Sequence, residues 1–214
     1  MKKLLVIVFC LFTTVLSAKE WAFELSPSQV KMVSSTKLER PKWFLDSCNL
    51  KNMVNLSFFT SKTWIGPYRD KRVLSPESPK KWPFLVIEKG EAHIYDPKTY
   101  GKNLNVKLIG VSADYMVAGY PILLQEGKRR KISKSFFSRR RCPRTAIGIH
   151  PNGSLILYVS TAATLKDVQT FFFNMGCSDA INFDGGSSTF LYLEGQKIYS
   201  SNQGRSYPNV LYWD

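Results

Sequence analysis

Apolar positions along this chain come in short runs broken by turn formers, a pattern that predicts strands and hairpins rather than long helices. The run Met53-Val54-Asn55-Leu56-Ser57-Phe58-Phe59 alternates enough to predict a strand. Residues 84–88 and 91–95 flank Lys89-Gly90 and predict a hairpin. Residues 106–111 predict another strand, and 115–125, with Gly127 after them, a strand and turn. Ahead of these, 19–50 mix Trp21, Phe23, Trp43 and Phe44 with turn formers, which predicts an opening strand and irregular connections. Residues 60–83 hold Pro67, Pro76, Pro79 and Pro83 among many lysines and predict a long surface excursion.

The last third is the most legible. Residues 145–149 and 154–160 predict two strands around the turn Pro151-Asn152-Gly153. Thr164, with Asp167 three positions on, has the form of a capping box, so a helix should run from there to about Met175 and stop at Gly176. Residues 180–183 predict a buried strand ending at Asp184, and 190–193 with 197–199 a hairpin through Glu194-Gly195-Gln196. Together these elements predict an α+β fold, a single domain with a mixed β-sheet and few helices.

The N-terminus changes the picture. Lys2-Lys3, the apolar stretch from Leu4 to Phe12 and the small residues before Ala18 form a signal peptide over 1–18, too short to span a bilayer. The expected mature domain is 19–214, exported to the periplasm or the extracellular space, with no transmembrane segment after cleavage. Its charge falls from +14 to +12, which favours anionic partners such as phosphate-bearing envelope polymers. Cys48, Cys142 and Cys177 remain, which permits one disulfide of unspecified pairing and leaves one thiol over. Residues 128–141 are dense in Lys and Arg without an acid. They read as a solvated loop, or as a clamp for a polyanion with Phe136-Phe137 inserted in it.

Candidate chemistry concentrates in Asn182-Phe183-Asp184-Gly185-Gly186-Ser187-Ser188-Thr189. An apolar strand delivers a carboxylate at its C-terminal end, and two glycines let a ligand approach the backbone. Amides of such a turn, with the Ser187 and Ser188 hydroxyls, suit an anion. Asp184 would serve as general acid or base, or help to hold a cation. Arg144-Thr145 heads the strand over 145–149, and an arginine fork suits phosphate. Asn55 is a polar residue inside an apolar strand. There is no G-x-S-x-G elbow, Walker A loop, HExxH or GxGxxG, and with only His93 and His150 present a Ser-His-Asp triad is disfavoured.

The sequence Arg144-Thr145-Ala146-Ile147-Gly148-Ile149, then Asn152-Gly153-Ser154-Leu155, then Thr164-Leu165, then Ala180-Ile181-Asn182-Phe183-Asp184-Gly185-Gly186-Ser187-Ser188, resembles the phosphodiester glycosidase family. The segment 54–59, the segment 121–127, and Arg205 with Asn209 are similar to further family features, so the motif-bearing part is about 50–212. Ser187 stands where the third glycine of the family motif usually lies, and Phe183 replaces its common leucine. The resemblance implies hydrolysis of a sugar-1-phosphodiester at the anomeric bond, releasing free sugar and a phosphomonoester. In that reading Arg144, Thr145, Gly185, Gly186, Ser187, Ser188 and Arg205 bind the phosphate or substrate. Asp184 assists the attacking water, and Asn55 and Asn182 join it as catalytic residues that orient the substrate. The sequence itself shows no liganding cluster and assigns no required cofactor, and it leaves open a divalent cation, calcium, shared by Asp184. The substrate is expected to be a sugar phosphate, carried on a cell-envelope glycopolymer. The alternatives are a noncatalytic module that grips such a polymer, and a nucleic-acid binder driven by 128–141, the less favoured of the two.

Overall fold

The structure, a computed structural model, describes residues 18–61, 64–70, 74–75, 82–101 and 104–214. The signal segment and much of the proline-rich excursion therefore lie outside the described residues. Strands dominate. One six-stranded sheet runs, in spatial order, Glu20–Leu25, Leu155–Ala163, Cys142–Ile149, Asp179–Asn182, Ile122–Gln125 and Lys128–Arg129. A five-stranded sheet runs Gln196–Ser200, Phe190–Leu193, Asn52–Asn55, Tyr207–Trp213 and Val30–Glu39. A third carries Leu74–Ser75, Tyr68–Arg69, Tyr115–Ala118, Phe84–Glu88 and Glu91–Tyr95. The α+β class is as expected. Pairing between the described strands is antiparallel, where mixed pairing was expected.

The central strands are buried on both faces, which explains their near-continuous apolar runs. Side chains alternate across a strand, so Leu155, Leu157 and Val159 enter one core with Ile147 and Ile181, while Ile156 and Tyr158 enter another with Ala146 and Ala180. The first core also takes Val54, Leu191, Leu211 and Trp213 from the five-stranded sheet and Leu85 and Val117 from the third, tying all three together. The second is closed by the helix Leu165–Asn174 through Leu165, Val168 and Phe172. Its capping box forms as expected: Asp167 N donates to Thr164 Oγ1 at 3.1 Å, and Thr164 N to Asp167 Oδ2 at 3.0 Å. Gly148 lets this helix dock, since a Cβ there would sit 2.5 Å from the Phe172 ring.

Four expectations need correction. Residues 106–111 are not a strand but part of the helix Val106–Ser112. Val106 and Ile109, three apart, pack against the cluster of Phe84, Val86, Ala113 and Met116 while Leu108 and Val111 stay exposed, and the Asn105 side chain caps the helix by accepting from Leu108 N. Residues 20–48 hold two strands and the helix Pro41–Cys48, more order than irregular connections. The strand at Asn55 ends there instead of reaching Phe59. The basic segment is exposed almost throughout, as a solvated stretch should be, but it is not all loop: it carries the strand Lys128–Arg129 and the helix Phe136–Arg139. Cys48, Cys142 and Cys177 form no disulfide with one another, and burial pushes the Cys177 thiol up to about 12.

Candidate active site

The chain crosses from the six-stranded to the five-stranded sheet through residues 183–189, and this crossing is the glycine- and serine-rich loop. Phe183 N donates to Thr145 O at 2.9 Å, still on the first sheet, and Asp184 N to Leu56 O at 3.2 Å, already on the extension of the second. Asn55 is the junction between them. Its Oδ1 accepts from Thr145 Oγ1 at 2.7 Å and Phe190 N at 3.3 Å, and its Nδ2 donates to Asp184 O at 2.6 Å. A short amide inside an apolar strand thus clamps both ends of the loop. Asn182 does similar work on the other flank, donating through Nδ2 to Tyr120 O and Phe183 O, each at 2.8 Å.

Both glycines are required by geometry. A Cβ on Gly185 would lie 2.7 Å from Pro143 O, and Gly186 has φ +59. The turn continues as a short 3₁₀ segment, Gly186–Ser188, in which Ser188 N and Thr189 N bond back to Gly185 O and Gly186 O. The amides of Gly186 and Ser187 take no acceptor among the described residues, in a part of the turn where Gly186 is half-buried and Ser187 exposed. Arg205 reaches this part: its Nη1 is 3.4 Å from Ser187 Oγ, and its guanidinium lies 4.8 Å over the Phe59 ring.

Burial pushes the Asp184 carboxyl up to about 6, despite the Ser188 hydroxyl, the Arg205 charge and the Gly185 amide (3.0 Å from Oδ1), all of which favour the ionised form. A carboxyl at this value accepts or gives up a proton near neutral pH. Its surroundings are hydrogen-bond donors, the company of an anion rather than of a cation. Among the described residues no cluster of three or more His, Cys, Asp or Glu side chains is placed to hold a metal ion.

The predicted residues do come together here, with different faces outward. Asn55 and Asn182 are 1% and 0% exposed, so they hold backbone and do not face the mouth of the loop. Thr145 is also fully buried, its hydroxyl directed to Asn55. Arg144, 0% exposed, lies against the loop, its Cα and Cδ within 3.7 Å of the position a Gly185 Cβ would take. Its fork is occupied. Nε donates to Ala163 O at 3.1 Å, Nη2 to Phe137 O at 2.7 Å and Arg140 O at 3.0 Å, and the Phe137 ring lies 4.5 Å away. Burial lowers its pKa. Nη1 is buried without a partner among the described residues.

The family's sequence profile, described as phosphodiester glycosidase, matches residues 51–213. The chain belongs to the phosphodiester glycosidase family. Its fold is similar to the catalytic domain of zebrafish N-acetylglucosamine-1-phosphodiester alpha-N-acetylglucosaminidase, auto-inhibited by its pro-peptide in that structure, with TM-score 0.70 and 14% identity over 97% of this chain and 87% of that one. A Synechocystis protein superposes with TM-score 0.71 at 13% identity; the alignment covers 91% of this chain but spans only 59% of the Synechocystis protein. A Burkholderia pseudomallei protein gives TM-score 0.63 at 11% identity, covering 92% and 73%. Among curated proteins, none matches the sequence.

The phosphodiester glycosidase loop is also flanked by aromatics, of which motif reading reached Phe58 and Phe59 but not Trp82 or Tyr120. Trp82 meets Phe58 edge-on at 5.1 Å and stacks on Tyr120 at 5.7 Å, while Phe59 contacts Tyr207 at 5.9 Å. These rings come from four segments, at residues 58–59, 82, 120 and 207. The one signal of the missed pair in the sequence was a 14% aromatic content, with Trp82 and Tyr120 each preceding a proline.

Proposed function

We propose that this chain is an exported hydrolase that cleaves the anomeric C–O bond of a sugar-1-phosphodiester. The observation that carries the reading is a single carboxyl, Asp184, held near pKa 6 beside Arg205 and a turn in which the amides of Gly186 and Ser187 take no acceptor among the described residues. Ordinary glycosidases need two carboxyl groups, one of them to protonate the leaving oxygen. A phosphomonoester is already a stable anion and leaves without that acid, so one base and a set of donors suffice. Water attacks the anomeric carbon as its bond to the phosphate oxygen breaks; the bonding electrons leave with the phosphate and the water proton passes to Asp184. Arg205, the two amides and the Ser187 hydroxyl hold the departing anion, where preorganised donors act most strongly. Asn55, Thr145 and Asn182 fix the loop from beneath, and Arg144 buttresses it.

The donors around Asp184 do not suit calcium, so no step runs through a metal. The signal-like residues 1–18 and the basic charge support export and an anionic envelope glycopolymer as the substrate's carrier. To test the reading, mature protein is incubated with a panel of glycosyl phosphodiesters and free sugar is detected by mass spectrometry. Release is expected, with an acid limb near pH 6 that disappears with the activity in Asp184→Asn. Binding without release across the panel would leave a noncatalytic module and reject the enzyme.

A further inference from the structure

Beside the loop lies a cavity of about 380 Å³ whose lining includes Trp82, Tyr120, Lys98, Arg130, Lys131 and Asp96. It is coupled to the active site by backbone. Tyr120 N donates to Asn182 O at 2.7 Å, and Asn182 N to Pro121 O at 3.0 Å, two residues before Asp184. On an extended chain that separation is about 7 Å. The aromatic row Phe58, Trp82, Tyr120 leads from the loop into this cavity, where Tyr120 is 43% exposed.

Arg130 is held in place. The Gln169 Nε2, in a nearly buried side chain, donates to both Leu123 O and Arg130 O at 2.8 Å, and Arg130 N donates to Leu123 O at 3.0 Å. Asp96, the carboxylate in the lining, accepts from Lys98 N at 3.0 Å and lies 3.8 Å from Arg130 Nη2. Three cations against one acid leave the cavity positive. Further on, Arg144 grips the carbonyls of Phe137 and Arg140. Between the two anchors a second hollow of about 400 Å³ presents Lys134, Arg139 and Lys166 with the hydroxyls of Ser133 and Ser138. Flat rings suit sugar faces and fixed cations suit phosphates. Here both occur in two hollows lined by consecutive stretches of the chain, residues 130–131 and 132–134, the first of them tied by backbone to the strand that ends at Asp184.

We infer that the aromatic cavity and the anchored basic segment after it form an extended track for further units of a phosphodiester-linked glycan. This rests on the phosphodiester glycosidase reading and specifies its substrate: a chain carrying several phosphates rather than a single small diester. Length preference would then come from Trp82, Tyr120, Arg130, Lys131 and Lys134, none of which the reaction itself uses.

The test is calorimetry at physiological salt on Asp184→Asn protein, which holds substrate without turnover. The probes are synthetic phosphodiester-linked N-acetylhexosamine oligomers of one and four units. The longer probe should bind at least tenfold tighter, and Lys131→Glu with Lys134→Glu, both at exposed positions, should bring that ratio close to one; Tyr120→Ala should lower it part of the way. A ratio near one in the parent, a ratio untouched by charge reversal, or equal displacement by an unstructured oligonucleotide with the same number of phosphates would each overturn the track. Unaltered melting temperatures show that the variants are folded. Failure of the enzyme reading shows separately, as no sugar released from either oligomer by protein with Asp184 intact.

Discussion

Replacing Asp184 by asparagine should stabilise the fold while abolishing the reaction. Burial raises the carboxyl from an ordinary 3.8 to about 6. A shift of about two units corresponds to roughly 3 kcal/mol of penalty on the ionised form. The sign follows from linkage: the native state holds its proton more tightly than the unfolded chain, so the penalty is absent below about pH 4, grows between about 4 and 6, and is constant above. An asparagine amide keeps an acceptor for Gly185 N but must itself be desolvated, so about 1–2 kcal/mol of net gain is expected at pH 8 and close to none at pH 4. Urea unfolding of both proteins at pH 4, 6 and 8 measures this, alongside sugar release. A variant equally or less stable than its parent at pH 8, or one whose advantage does not depend on pH, would show that Asp184 is not held against its own ionisation. Its role as a base near neutrality would then fail.

Arg205→Ala should raise KM for a glycosyl phosphodiester by about tenfold or more. Because Arg205 favours the ionised carboxylate, its loss should also move the acid limb of kcat to higher pH; an unmoved limb would separate the two groups. Asn55→Ala removes three hydrogen bonds that clamp the loop between the sheets and should cost about 2–4 kcal/mol in chemical denaturation, since buried partners are left unmatched. Arg144→Met should release the carbonyls of Phe137 and Arg140, seen as faster hydrogen exchange across residues 136–140 and a lower melting temperature. A large rise in KM with neither change would instead return Arg144 to direct phosphate contact.

Local chemistry was legible in the sequence because its partners are near in the chain. The capping box at Thr164 and Asp167, the hairpin turn at Lys89-Gly90 and the Asp184-Gly185-Gly186 turn each close within a few residues. The central strands announced themselves by apolar runs, since both of their faces are covered. The helix at Val106–Ser112 was misread because its few apolar residues satisfy two periods, and the cluster that includes Phe84, Val86 and Met116 selects one. Which way the polar site residues face was a tertiary matter. Asn55 and Thr145 are 90 positions apart, and Arg144 finds its carbonyls at residues 137, 140 and 163. A sequence states that an arginine or an asparagine has donors to place; where they go is decided when burial removes water and the nearest backbone oxygens take its part. The loop was therefore written in the chain, while the division between groups that meet substrate and groups that hold the loop came from how two sheets close on each other.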